Sequence, residues 1–165
     1  MPRPTFTAPP MPTLLAALLI GVVAGLRSMT APAAVAWGAA FGWVPLDGTW
    51  AGFLARPVAR WIFTALALGE LVGDKLPTTP SRKAVGPFAG RVASGAFCGA
   101  ALGAARGATV TGAVAGAVGA VLGTLGGYEA RTRLAASIGG RDTPIALLED
   151  VVAIAAAFGI VAAVR

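Results

Sequence analysis

Four stretches of this chain run long distances without a charged residue: Arg3 to Arg27, Arg27 to Asp47, Arg106 to Glu129 and Asp150 to Arg165. No other feature restricts the fold as strongly. A helix needs roughly 17–25 apolar residues to cross the hydrocarbon core of a bilayer, and several of these stretches reach that length. A soluble domain of 165 residues has too small an interior to hide them all. Composition agrees. Hydrophobic residues make up 56% and charged residues 12%, against about 45–50% and about 25% in an ordinary soluble domain. The fold class is read as all-α, an integral membrane helix bundle. The chain is expected in the cell inner membrane as a multi-pass protein, with the lipid bilayer as its first partner.

The net charge of +6 would suggest a nucleic-acid partner in a soluble chain. Here the basic residues lie scattered at the ends of apolar runs and never share one helix face, so no nucleic acid is expected. The pattern fits the bias of Lys and Arg toward cytoplasmic loops. The chain has no His and a single cysteine, Cys98. That excludes zinc sites of the His/Cys type, imidazole acid–base chemistry and any disulfide within one chain. No cofactor is expected, and no metal is specified.

Residues 1–13 hold five prolines and read as a disordered lead. Residues 14–165 read as a single transmembrane helical domain. Five full helices are expected, at about 14–26, 57–76, 88–105, 108–128 and 145–164. A sixth segment, at about 31–46, is only some 24 Å long as a helix and reads as short or re-entrant. The loops at 77–87 and 129–144 are separated by two spans, so they share a side, taken as the cytoplasm. A faint internal echo pairs Gly25–Ala31 with Ala89–Gly95, and Thr64–Glu70 with Thr143–Glu149. It divides the domain into two weakly similar halves, about 14–76 and 88–165.

Glycines at Gly112, Gly116, Gly119, Gly123 and Gly126 follow steps of four, three, four and three. That is a helical seam made of glycine, which lets two backbones approach closely where lipid supplies no hydrophobic drive. Gly95, Gly99 and Gly103 on the preceding helix repeat every four residues. The two helices are expected to pack on each other or across a subunit boundary in a homo-oligomer.

Ionisable groups inside a span are costly, so each requires a partner or a role. Glu70 and Asp74 lie four apart, on one helix face. Arg27, Ser28 and Thr30 stand where Pro32 interrupts the first helix, and broken helices are how transporters build ion and solute sites. Arg91 opens a later helix. Glu149 and Asp150 lie near the start of the last one, where acids favour the helix dipole; Glu149, well over a turn inside, is the better intramembrane candidate. The expected ion- or substrate-binding set is Arg27, Thr30, Glu70, Asp74, Arg91 and Glu149, with Arg27 paired to Glu70.

The blocks GLRSMTAPA at 25–33 and GELVGDKLPTTPSR at 69–82, with Arg91 and the acidic pair at 149–150, resemble the signatures of a family of small polytopic bacterial membrane proteins of unknown function. The resemblance implies a multi-helix inner-membrane protein and supplies no reaction. The leading functional reading is a small transporter or channel for an ion or small solute. One alternative is a membrane-embedded enzyme acting on lipid headgroups, because Asp47-Gly48, Ala55-Arg56, Gly69-Glu70 and Gly73-Asp74 resemble the acidic metal motif of CDP-alcohol phosphotransferases. Another is a structural or assembly subunit.

Overall fold

The computed structural model describes residues 11–73, 84–137 and 142–165. Within them it forms six α-helices: α1 (Thr13–Leu26), α2 (Thr30–Ala40), α3 (Pro57–Gly73), α4 (Val85–Ala104), α5 (Thr109–Ser137) and α6 (Asp142–Ala163). A 3-10 helix at Trp50–Ala55 precedes α3, and the described residues contain no strand. Two helices, Thr109–Ser137 and Pro144–Ala163, are long and apolar enough to cross a membrane; α1 is apolar but shorter.

The chain breaks between α1 and α2 because Pro32 has no amide to give the carbonyl of Ser28 and its ring crowds that carbonyl. Proline is harmless in the first turn of a new helix, where Pro32 sits, so the helix restarts at Thr30. Arg27 is extended between the two. The segment at 31–46 is shorter than expected. Gly42, at φ +71°, closes α2: the amide of Trp43 reaches back to the Gly38 carbonyl and that of Gly42 to Ala39. Gly107 at φ +70° ends α4 in the same way, with Ala108 bonded to Gly103.

Two expected loops are partly helical. The connection at 129–144 begins only after Ser137, because Glu129, Ala130, Arg131, Arg133, Leu134 and Ala135 are good helix formers, and Arg133 Nε donates to Glu129 one turn away at 2.8 Å. Residues 85–87 belong to α4. At the other extreme, the Met11 amide bonds the Ala163 carbonyl at 2.8 Å, while residues 1–10 lie outside the described residues.

Side-chain neighbours fix the direction of each helix. Met11 meets Ala163, and Arg27 meets Asp150, so α1 runs against α6. A Cβ on Gly38 would touch Val161, and Arg165 lies over the Trp43 ring, so α2 returns alongside α6 to where α1 began. Trp37 bonds Thr64 and Ser28 bonds Glu70, which sets α3 against α2. The six helices therefore alternate in direction. One end of the bundle, the tip end, carries residues 27–29, the C-terminal ends of α3 and α5 and the N-terminal ends of α4 and α6. The base end carries both described termini, residues 41–56 and the α4–α5 turn.

Glycine sets the spacing of α1, α4 and α5. Cβ atoms on Gly112 and Gly116 would strike the backbone of α4 at Gly99 and Gly95, and Cβ atoms on Gly119 and Gly123 would strike α1 at Leu18 and Val22. One glycine-lined helix thus holds two neighbours within the chain. Gly126 does not take part: a Cβ there meets open space.

Candidate functional site

The turn between α1 and α2 sits below the rim of the tip end. Leu26 lies against Gly127, and α5 continues past it for ten more residues to Ser137, about 15 Å. Backbone groups exposed by the interruption need partners there, and side chains from three other helices supply them. Glu70 of α3 accepts from the Ser28 amide at 2.8 Å, the Ser28 hydroxyl at 2.7 Å and the Met29 amide at 2.8 Å. It lies in front of the α2 N-terminus, where the helix dipole favours a carboxylate. Arg91 of α4 donates to the carbonyls of Gly25 at 3.0 Å and Leu26 at 3.3 Å, placing a cation on the negative end of α1. Thr124 of α5 also donates to Gly25, and Ser94 of α4 donates to the Ser28 carbonyl.

Two ion pairs tie this arrangement together. Arg27 is fully buried, and its guanidinium meets the Asp150 carboxylate of α6 at 2.5 Å. Arg91 stands 3.9 Å from Glu70. Two cations and two anions converge on one turn, so these four groups sum to no net charge. A buried pair is most costly when one member is removed, because the other remains as an isolated charge in a poor solvent.

The structure corrects two expectations about partners. Among the described residues, Arg27 meets the carboxylate of Asp150, while Glu70 binds the adjacent amides and Arg91. Asp150, 7% exposed, is more buried than Glu149. Glu149 lies 3.9 Å from Arg131 of α5, in a groove of about 210 Å³ that Leu26 also lines. The sequence carried a signal for this. On α6 the buried positions are Ala146, Asp150, Ala153, Ala157, Ile160 and Val161, a stripe at four- and three-residue steps that includes Asp150 and passes over Glu149. Ser94 and Thr124 also escaped notice, because small hydroxyl residues are ordinary in apolar helices. Thr30 is buried beside the turn and engages none of these groups. Asp74 lies outside the described residues.

The acidic metal motif does not assemble among the described residues. Asp47 precedes α3 at the base end, whereas Glu70 closes it at the tip end, about 20 Å along the helix. No group of three or more acid, Cys or His side chains able to hold a metal occurs among the described residues. Comparison with protein-family models, with characterised proteins and with solved structures gave no match. The family resemblance of the 25–33 and 69–82 blocks therefore assigns no role to these residues, and the reading of the site rests on its geometry.

Proposed function

We propose that this chain is a multi-pass protein of the cell inner membrane that moves an ion or small solute, with the α1–α2 turn as its polar site. The membrane assignment draws support from the outer surface of the bundle. Val110, Val151 and Trp61 are 75%, 64% and 62% exposed, and α3, α5 and α6 turn many more bulky apolar side chains outward. Such a surface suits hydrocarbon and would aggregate in water.

One observation carries the transport reading: a broken helix presents its two oppositely polarised ends to the charged side chains of Arg27, Asp150, Glu70 and Arg91. An entering cation competes with an arginine for a carboxylate, and an entering anion competes with a carboxylate for an arginine. Either exchange frees a helix end and loosens the turn, which is how a site of this kind couples binding to movement. The complete internal pairing at Ser28 and Met29 favours a second reading, a structural subunit whose hairpin is locked permanently.

Liposomes containing only the purified chain separate the two. Transport predicts protein-dependent flux of protons, alkali cations or halides, read by entrapped dyes, that falls at least tenfold in Asp150→Asn and Glu70→Gln. Absence of flux for every ion and for small neutral solutes, or flux indifferent to both substitutions, overturns the transport reading.

A further inference from the structure

A half-open groove of about 450 Å³ lies on the outer side of the base end, lined by Phe53 and Arg56 and by Val58, Ala59, Ile62 and Phe63 of α3. From Arg56 to Phe63 it follows the helix for about 10 Å. Phe97 of α4 stands 6.3 Å, ring to ring, from both Phe53 and Phe63. The lining is apolar except for Arg56, which is exposed. Arg56 stands at the start of α3, where its carbonyl accepts the Arg60 amide. A cation there faces the positive end of the helix dipole, and the first turn of α3 contains no acid.

Nor does a counter-charge come from elsewhere in the chain. Among the described residues the base end carries Arg56, Arg60, Arg106 and Arg165 against one acidic side chain, Asp47, and no ion pair joins any of them. Residues 1–10 hold no acid. Trp43 and Trp50 lie within residues 41–56 and Trp61 in the second turn of α3, a grouping that suits the level of lipid headgroups. We propose that the groove holds one anionic diacyl phospholipid, its phosphate on Arg56 and an acyl chain against Val58, Ile62 and Phe63. The proposal rests on the membrane reading above. A trough open along its side suits a hydrocarbon chain, and no polar side chain below Arg56 asks for a partner. The guanidinium at its mouth suits a phosphate. The headgroup must carry net negative charge, because a choline would meet the surplus of arginines at this end. A second copy docked through the same face would set like charge against Arg56.

Native mass spectrometry of the full chain in detergent, titrated with dioleoyl phosphatidylglycerol or dioleoyl phosphatidylcholine, resolves each binding step. The first phosphatidylglycerol is expected to bind about fivefold or more tightly than phosphatidylcholine, and Arg56→Gln to remove about fivefold of its affinity. Arg56→Lys keeps the charge and loses less. Arg60→Gln also costs less than Arg56→Gln, because its guanidinium lies 5.1 Å over the Trp37 ring and does not line the groove. Arg106→Gln leaves the first step unchanged. Glycerophosphoglycerol, the same headgroup without chains, does not compete. Equal binding of the two lipids, equal losses in Arg56→Gln and Arg106→Gln, or competition by the chainless headgroup overturns the site alone. So does a lipid-free dimer, in which the groove belongs to a second copy. Recovery of the chain in buffer without detergent is a different failure, which overturns the membrane reading and the site with it.

Discussion

Arg27 is the largest fully buried side chain in the bundle, and a guanidinium in that position persists only with a fixed counter-charge. Its contact with Asp150 leads to a specific expectation. Arg27→Gln and Asp150→Asn should each destabilise the protein by about 3–5 kcal/mol, and the double variant by clearly less than their sum. Denaturant or thermal unfolding in detergent measures this; additivity within about 0.5 kcal/mol would show that the two groups do not interact. At this scale the sequence was half legible. Composition made every charge near the turn conspicuous, and Arg27, Glu70 and Arg91 do meet there. Pairing was harder to read, because two arginines and four candidate acids, Glu70, Asp74, Glu149 and Asp150, allow several neutral combinations. The choice between Glu149 and Asp150 turns on a rotation of one residue, about 100° on the helix, which the stripe of buried Ala146, Ala153 and Ala157 on α6 resolves, since Asp150 falls on it.

Helices were legible as elements and less so at their ends. Four charge-free runs located α1, α2, α5 and α6, and the sparsely charged apolar stretches between them located α3 and α4, since only a helix satisfies an apolar backbone locally. The ends depended on glycines and on the propensities of charged residues. Gly42 stops α2 six residues short of Leu46, while the charged run after Tyr128 continues α5 to Ser137 because Glu, Arg and Ala prolong a helix as readily as they form a loop. The glycine ladder on α5 makes a graded prediction. Gly116→Ala sets a methyl group against the Gly95 carbonyl and should cost about 1–3 kcal/mol, the range for an overpacked contact that must shift backbone. Gly119→Leu, directed at Leu18 of α1, should prevent folding. Gly126→Leu should stay within about 0.5 kcal/mol of the parent, as an open surface position does. Thermal unfolding of the three side by side is the check; equal losses at Gly116 and Gly126 would mean that the helices separate more than their glycines require.

Across the whole molecule, the alternation of six helices determines which residues share a side of the bundle. It also removes an argument that the sequence offered. The base end carries Arg56, Arg60, Arg106 and Arg165, so basic residues are not confined to the loops at 77–87 and 129–144, and the positive-inside bias does not assign the cytoplasmic side. Membrane insertion itself has a direct test: the chain should remain with the membrane through carbonate washing, and recovery in the soluble fraction would end the membrane reading. Sidedness then follows from labelling. In a Cys98→Ala background, single cysteines at Asp47 and Arg165 lie at the base end, and single cysteines at Val85 and Ser137 lie at the tip end; all four positions are exposed. A membrane-impermeant maleimide added to intact, right-side-out cells should label one pair and spare the other until the membrane is opened. Labelling of Asp47 with Ser137, or of Val85 with Arg165, would require an even number of crossings between them. That result would break the alternation, and with it the placing of Glu70, Arg91 and Asp150 at a common depth around the α1–α2 turn.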